Sequence, residues 1–357
     1  MISVSLCMIV KNEEDVLERC LKSVAGLVDE IIIVDTGSTD RTREIATHFT
    51  NQIFDFPWQD DFSAARNEAF SHASMDYCMW LDADDVFLEE DQKAFLNLKE
   101  TLDPTVSVVM APYHTGFDER GRVTFSYYRE RLIKNRAGMC WVGAVHEVVT
   151  PVGNVLYSDF AVTHRKTRPS DPDRNLRIYQ AQLAAGKQLE PRQQFYYGRE
   201  LYYHHRWEEA LDVFERFLEE GQGWVENKRE ACRDLSACYL RMGQKEKAFA
   251  ALTRELAFGP PRAELCCELG NWFFREENYP AAAFWYETAL QRPREDQSGA
   301  FVRPDCYGYF PCMQLCVCYY RMGNLALSQE FNRRAGAFKP DDPAFLYNER
   351  FFQHLSS

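Results

Sequence analysis

The chain contains 357 residues, of which 46% are hydrophobic, and its formal net charge is −13 at pH 7. This length predicts two domains, because a single hydrophobic core rarely extends over so many residues. The acidic balance argues against nucleic acid and anionic membrane surfaces as main partners, since both carry negative charge.

Neither an export signal nor a membrane-spanning segment is visible in the sequence. The chain has no apolar run of about 18 residues, and its first five residues predict a strand rather than a signal peptide. The twelve cysteines are therefore expected to be reduced thiols of a cytoplasmic protein. Cys306, Cys312, Cys316 and Cys318 lie close in sequence; helix packing is the preferred interpretation, with a structural zinc site as the alternative.

The first half of the chain alternates between strands and helices. Residues 4–10, 30–35, 52–56 and 77–81 predict strands, and the segments between them have helical periodicity. Strands and helices that alternate through short connections are typical of a parallel sheet. We therefore expect an α/β domain over residues 1–170.

The last predicted strand of this series runs into Asp82, Asp84 and Asp85, three carboxylates within four positions. Like charges this close favour a cation among them. On an extended backbone, Asp82 and Asp84 would point to the same side, where a hard divalent ion could bind them together with phosphate oxygens. An acidic loop that caps the next helix is the alternative interpretation.

Polar residues also follow the earlier predicted strands. Lys11, Asn12 and Glu13 come after the first strand, and Asp35 ends the second. Because the carboxyl ends of parallel strands meet at one edge of a sheet, these residues are expected to converge with the acidic stretch, where ligands of open α/β sheets bind. The glycine-rich phosphate loops of other nucleotide-binding folds are absent from the sequence, so phosphate would be held through metal.

Four motifs together resemble the family-2 glycosyltransferases of the GT-A fold. They are Cys-Met-Ile-Val-Lys-Asn-Glu at 7–13, Val-Asp-Thr-Gly-Ser-Thr-Asp at 34–40, Asp-Phe-Ser-Ala-Ala-Arg-Asn at 61–67 and Trp-Leu-Asp-Ala-Asp-Asp at 80–85. They occur in the order of the family and cover the first half of the chain. The resemblance implies a UDP-sugar donor, a divalent metal (Mn²⁺ or Mg²⁺) and inversion at the anomeric carbon.

The resemblance also implies roles for individual residues. Asp35 would bind the uracil edge, and Arg66 would lie near the base or the phosphates. Asp82 would contact the ribose or the metal, and Asp84 would ligate the metal. Simple helix capping by Asp35 and a surface position for Arg66 are the alternatives. The predicted donor-contacting residues are Lys11, Asn12, Glu13, Asp35, Gly37, Ser38, Arg66, Asp82 and Arg131.

A histidine beside a glutamate, His146 and Glu147, stands in an apolar segment. Burial of both side chains costs free energy unless each has a partner. Bacterial members of the family resemble this segment and also the upstream run 131–135, and in GT-A enzymes the region supplies the catalytic base. Glu147 is the preferred base and His146 the second candidate; a pair that only holds a loop is the alternative.

His164 ends a later predicted strand. Its position resembles that of the C-terminal histidine that many GT-A enzymes add to the metal shell. The predicted metal ligands are therefore Asp82, Asp84 and His164. Imidazole suits manganese better than magnesium, and a structural histidine at a strand end is the alternative.

The second half of the chain has helical periodicity throughout. Residues 171–190 predict a linker, and residues 191–357 an all-α domain. Similar helix starts recur at residues 207, 245, 279 and 325. A period of about 34 residues resembles tetratricopeptide (TPR) repeats, and an insertion around residues 294–304 accounts for the longer last step.

The two halves together predict a metal-dependent, inverting transferase that moves a sugar from a UDP-sugar to a protein or peptide. Stacked helical repeats form concave faces that commonly hold peptides or proteins, and the fusion resembles peptide S-glycosyltransferases of the sublancin type. The same chemistry on a glycan or lipid-linked precursor is one alternative. An inactive transferase domain on a repeat scaffold is the other, and a homodimer remains open.

Overall fold

A computed structural model describes residues 1–167 and 171–356. The chain divides into two compact units, Met1–Glu200 and Leu201–Ser357. The predicted end of the first domain, residue 170, lies outside the described residues. The predicted linker 171–190 contains a helix of eleven residues, Arg174–Ala184.

Strands and short helices make up the first unit. Its strands are β1 (Val4–Val10), β2 (Glu30–Asp35), β3 (Ile53–Asp55), β4 (Tyr77–Trp80), β5 (Asp85–Val86), β6 (Val106–Phe117), β7 (Val123–Lys134), β8 (Trp141–Val142), β9 (Val148–Val149), β10 (Asn154–Tyr157) and β11 (Val162–His164). Its helices are α1 (Leu17–Val24), α2 (Thr42–Thr47), α3 (Phe62–Ser71), α4 (Glu89–Thr101), α5 (Arg174–Ala184) and α6 (Pro191–Tyr203), the last of which continues into the second unit.

Nine of the described strands form a mixed sheet in the order β3-β2-β1-β4-β7-β6-β11-β5, with β10 also paired to β6, and β8 and β9 form a separate two-stranded sheet. Strands β3, β2, β1 and β4 are mutually parallel, as their alternation with helices predicts. The core side chains of β1, such as Leu6 and Met8, have no exposed surface because helices cover the sheet. The predicted α/β class is confirmed.

The middle of this unit differs from the sequence-based expectation. The alternation of strands and helices predicts a parallel sheet, but β6 and β7 pair with each other in a long antiparallel hairpin. Gly116 lies in this hairpin, where a Cβ would come within 2.8 Å of Phe125 Cβ. A bulge at this close approach keeps the alternation irregular, which obscures the strand in the sequence.

The described part of the second unit is built from helices. They are α7 (Trp207–Glu220), α8 (Val225–Arg241), α9 (Lys245–Arg254), α10 (Ala263–Arg275), α11 (Tyr279–Leu290), α12 (Tyr309–Arg321), α13 (Leu325–Phe338) and α14 (Pro343–Ser356). The four helix starts predicted from the repeats are the first residues of α7, α9, α11 and α13. Gly243 and Gly323 adopt φ values of +73° and +78° in the turns that precede α9 and α13, which explains the glycines of the repeated motif.

The cysteines of this unit lie mostly inside its core. Cys312, Cys316 and Cys318 pack with Leu315 and Phe331 in one apolar cluster. All twelve cysteines are free thiols, and among residues 1–167 and 171–356 the cluster of potential metal ligands lies in the first unit. Helix packing, the preferred interpretation, therefore describes Cys312, Cys316 and Cys318. No helix within the described ranges is long and apolar enough to cross a membrane.

Close packing of α10 on α11 generates a first prediction. A Cβ at Gly270 would come within 2.5 Å of Tyr286 Cε1. We expect Gly270→Ala to lower the free energy of unfolding by about 1–3 kcal/mol, because the aromatic ring must shift in a packed core. Gly26→Ala is the matched control, since nothing lies within 4 Å of its Cβ position. Equal melting temperatures for the two variants would contradict this packing.

A buried carboxylate in the second unit generates a second prediction. Glu255 has no exposed surface, and the guanidinium nitrogens of Arg233 and Arg229 lie 3.2 and 3.8 Å from its oxygens. Burial raises the pKa of Glu255 from 4.5 to about 7, outweighing the charge of Arg233. Because the folded chain binds the extra proton between these two pKa values, its stability falls as pH rises through that window.

Glu255→Gln removes this titration. Its free energy of unfolding, measured relative to the wild type, is expected to increase by ~3 kcal/mol between pH 4.5 and pH 8. Denaturant unfolding at a series of pH values measures the difference. A difference that stays constant over the whole range would contradict the raised pKa.

Candidate active site

The strand register brings the polar loops of the first unit to one edge of the sheet. Val10 at the end of β1 is paired with Asp35 at the end of β2, and Cys7 is paired with Trp80 at the end of β4. The chain leaves each of these parallel strands at the same edge. The predicted convergence of the segments after β1, β2 and β4 is thereby explained by the register.

The loops after β1 and β2 are bound to each other. Asn12, with φ at +56°, accepts a hydrogen bond from the Thr39 amide at 2.7 Å, and its own amide donates to Ser38 Oγ at 3.0 Å. Asp35 Oδ1 accepts from the amides of Gly37 and Ser38 at 3.1 and 2.9 Å. Residues predicted to contact the sugar nucleotide therefore hold the two loops together through hydrogen bonds. Asp35 Oδ1 is occupied by two of these bonds.

Arg66 occupies the middle of the site. It lies on α3, whose first turn is capped by Asp61. The guanidinium stands 4.6 Å from the ring centre of Trp80 and 5.0 Å from that of Trp141, and only 6% of the residue is exposed. A buried guanidinium requires compensating negative charge, and two acidic side chains supply it.

Those partners are Asp82 and Glu147. Arg66 Nη2 lies 2.8 Å from Asp82 Oδ1, and Arg66 Nε lies 2.7 Å from Glu147 Oε1. Burial alone would raise the pKa of Asp82, but the charge of Arg66 outweighs it and the pKa is lowered. One cation therefore joins two segments that are 65 residues apart in sequence, and a surface position for Arg66 is excluded.

The acidic stretch is a turn, so the expectation of an extended backbone from Asp82 to Asp84 is wrong. The Asp85 amide donates to the Asp82 carbonyl at 3.0 Å, and the Asp82 amide donates back to Asp85 Oδ2 at 3.1 Å. The turn breaks the alternation of side chains, so a spacing of two residues does not by itself place Asp82 and Asp84 on one side. Asp82 turns to Arg66, and Asp84 turns to a different group of residues.

That group consists of Asp84, Asp85 and His164, each of which offers a ligand atom within 4.8 Å of the others. His164 Nδ1 lies 3.3 Å from Asp84 Oδ1 and 3.2 Å from Asp85 Oδ1. Two carboxylate oxygens and one imidazole nitrogen are a donor set that suits Mn²⁺ and, less well, Mg²⁺. The predicted ligands Asp84 and His164 belong to this group together with Asp85, which was not predicted as a ligand, and the predicted ligand Asp82 lies outside it.

The protonation states of this group follow from its surroundings. Burial raises the pKa of Asp84, and the charges of Asp82 and Asp85 add to the effect although His164 opposes it. Burial disfavours charge on His164 too, but its bond to Asp85 and the neighbouring carboxylates outweigh this, and the pKa of His164 is raised. The group holds excess negative charge that a divalent cation would compensate.

Arg131 and Tyr113 lie beneath the acidic turn. Arg131 has no exposed surface; its guanidinium is 3.8 Å from the Trp80 ring centre, and Nη1 is 3.5 Å from Asp85 Oδ2. Tyr113 donates its hydroxyl hydrogen to Asp85 Oδ1 at 2.8 Å. Both therefore orient Asp85 from below, and the predicted contact of Arg131 with the donor stays a prediction.

His146 lies beside Glu147 but has different partners. Its ring stacks on Tyr196 with 4.1 Å between centroids, and Nε2 lies 3.0 Å from Glu200 Oε1. Sequence reasoning missed Tyr196 and Glu200, because both belong to α6, which the helical pattern groups with the repeats. The spacing of Arg192, Tyr196 and Glu200 by four residues was the available signal for a common helix face.

Comparison with known proteins identifies the family of the first half of the chain. A family model described as "Glycosyl transferase family 2" matches residues 5–150. A TPR repeat-containing protein of Synechococcus elongatus is 30% identical over 349 residues, which cover 95% of this chain and 76% of that protein. Glycosyltransferase SunS of the SPbeta prophage in Bacillus subtilis is 27% identical over 230 residues, and the matched region spans about half of its length, 52%.

Among solved structures, glucosyl-3-phosphoglycerate synthase from Mycobacterium tuberculosis, in complex with Mn²⁺, UDP and phosphoglyceric acid, is 21% identical. The match covers 32% of this chain and 44% of that one, with a TM-score of 0.28. The family is established by the sequence matches. The chain belongs to glycosyl transferase family 2 and carries a TPR-like helical region after its transferase domain.

Proposed function

We propose that the protein is a metal-dependent, inverting glycosyltransferase that moves a sugar from a UDP-sugar to a protein or peptide. The observation that carries this proposal is the group formed by Asp84, Asp85 and His164 at the carboxyl edge of the sheet. Asp82, paired with Arg66, adjoins it through the hydrogen bond to Asp85. A cation-binding group beside a buried arginine is suited to a diphosphate leaving group.

A Mn²⁺ or Mg²⁺ ion held by Asp84 and His164, with Asp85 or Asp82, would neutralise charge on that diphosphate. In the nucleotide pocket, Asp35 Oδ2 would accept a hydrogen bond from uracil, since Oδ1 is held by backbone amides. The loops around the two strand ends would border the nucleotide. Their predicted contacts are Lys11, Asn12, Glu13, Gly37 and Ser38, together with Arg66, Asp82 and Arg131 nearer the phosphates and ribose.

The acceptor proton would pass to one of the two residues at 146–147, and the acceptor atom would attack from the face opposite the leaving group. The helical repeats support a protein or peptide acceptor, because such repeats provide extended binding faces. A glycan or lipid-linked acceptor is the second candidate.

Reduced thiols throughout favour a cytoplasmic location. Sedimentation would decide between a monomer and a homodimer.

The donor and metal assignments are tested together. Incubation with a panel of UDP-sugars and Mn²⁺ is expected to release UDP from at least one donor, and chelation by EDTA to stop the release. Asp84→Asn should reduce the rate by about 100-fold or more, because the variant loses an anionic ligand of the cation.

Asp103→Asn is the matched carboxylate control. This residue lies before β6, at the opposite edge of the sheet, where it accepts a hydrogen bond from the Thr105 amide. The control is expected to keep the wild-type rate. Absence of both UDP binding and UDP release in the wild type would contradict the proposal and favour a repeat scaffold with an inactive transferase domain.

The buried arginine gives a separate prediction about stability. Arg66→Met would leave Asp82 and Glu147 without their shared cation, and we expect the free energy of unfolding to fall by about 3–5 kcal/mol. Lys93→Met is the control, since its pair with Glu89 is exposed on α4 and should contribute less than about 1 kcal/mol. Denaturant unfolding measures both variants, and similar losses would contradict the central role of Arg66.

A further inference from the structure

One face of α6 contacts His146 at three points. Arg192 Nε donates to the His146 carbonyl at 3.2 Å, Tyr196 stacks on the imidazole with an interplanar angle of 13°, and Glu200 lies 3.0 Å from Nε2. Arg192, Tyr196 and Glu200 follow one another at intervals of four residues, so they lie along one side of the helix. Backbone, ring face and ring nitrogen of a single histidine are thus all held.

The backbone of His146 shows that this arrangement is imposed by its surroundings. Its φ is +53°, a left-handed conformation that non-glycine residues rarely adopt. Such a conformation is strained and persists where the surrounding structure holds it. Glu200, only 8% exposed, also accepts a hydrogen bond from Asn175 Nδ2 at 3.0 Å, so the carboxylate that orients the ring is itself held.

Glu147 differs from His146 because its side chain pairs with a buried cation and is less exposed. Its Oε1 is 2.7 Å from Arg66 Nε, its carbonyl accepts from Arg129 at 3.4 Å, and its side chain is 12% exposed. The side chain of His146 is 34% exposed. A carboxylate that compensates a buried guanidinium would lose that pairing if it accepted a proton, whereas a half-exposed imidazole can accept one without breaking a buried ion pair.

We propose that His146, oriented by Glu200, removes the proton from the acceptor, and that Glu147 instead holds Arg66. This inference rests on the proposed function and decides between the two candidate bases. Nε2–H donates to Glu200, which leaves the lone pair of Nδ1 to accept the proton. Among the described residues, Nδ1 has no hydrogen-bond partner. Within the part of the chain that the structure describes, Glu200 and Tyr196 contact the ring and Arg192 contacts the backbone carbonyl, and all three belong to α6.

The proposed reaction forms one bond, breaks one bond and transfers one proton. A lone pair on the acceptor oxygen, sulfur or nitrogen forms the bond to the anomeric carbon, and the bond from that carbon to the diphosphate oxygen breaks. The electron pair of the broken bond leaves with UDP. The acceptor proton moves to Nδ1 of His146, and the imidazolium, stabilised by Glu200, later releases it to water. Glu200 is a positioning residue, because it acts through the ring.

The first test replaces the imidazole without disturbing the backbone. His146→Asn suits the left-handed conformation, which asparagine tolerates better than most residues. With Mn²⁺ and the UDP-sugar that the wild type hydrolyses, kcat for UDP release is expected to fall about 100-fold or more, while the affinity for UDP stays unchanged. His72→Asn, on the C-cap of α3 and paired with Glu68, is the matched control and should keep kcat.

The second test concerns Glu200. Glu200→Gln should lower kcat and leave KM for the donor unchanged, because the imidazole loses the carboxylate that orients it. Glu200→Asp should restore part of kcat. A merely structural role would lower the melting temperature without this split between kcat and KM. Glu147→Gln should retain the acidic limb of the kcat–pH profile and lower the melting temperature.

The inference is overturned if His146→Asn keeps kcat within about threefold of an active wild type, or if Glu147→Gln abolishes the acidic limb that His146→Asn retains. The ¹⁵N NMR chemical shifts of the His146 ring nitrogens test the tautomer without measuring catalysis. The Nε2–H form is expected in the wild type and should be less populated in Glu200→Gln; an Nδ1–H form would overturn the inference. Failure of the wild type to bind UDP would contradict the proposed function instead.

Discussion

The site depends on one buried cation. Arg66 is enclosed by the rings of Trp80 and Trp141, so its charge must be met by acidic groups close by, and Asp82 and Glu147 meet it. This requirement fixes the acidic turn after β4 relative to the segment that follows β8. Asp82 and Glu147, which pair with Arg66, are therefore the carboxylates least free to bind a metal ion or to accept a proton.

The remaining chemistry is distributed around that pairing. On one side, Asp84, Asp85 and His164 form a group suited to a divalent ion, with Tyr113 and Arg131 supporting Asp85 from the interior. On the other side, α6 holds His146. The first compact unit extends to Glu200, so this helix belongs to the transferase unit for most of its length. Its contacts with His146 explain why an aromatic and acidic face occurs where the repeat pattern begins.

Much of the architecture could be predicted from the sequence because it rests on local patterns. Continuous apolar runs mark β1, β2 and β4, and recurring motifs mark the first residues of α7, α9, α11 and α13. The motif around Asp84 also predicted a cation site at the edge of the sheet where Asp84, Asp85 and His164 meet. Each of these features follows from the periodicity of a strand or helix, or from its position at a strand end, and none requires knowledge of distant contacts.

What only the tertiary structure decided is which side chains meet. The sequence by itself determined the fold class, the repeats and the family, since these are written in residue spacing. It did not show that a turn sends Asp82 to Arg66 and Asp85 to His164, that Arg131 is fully buried, or that Glu200 reaches back 54 residues to His146. Such pairings arise because buried charges must find partners, and long-range packing, which leaves no periodic signal in the chain, decides which partners are within reach.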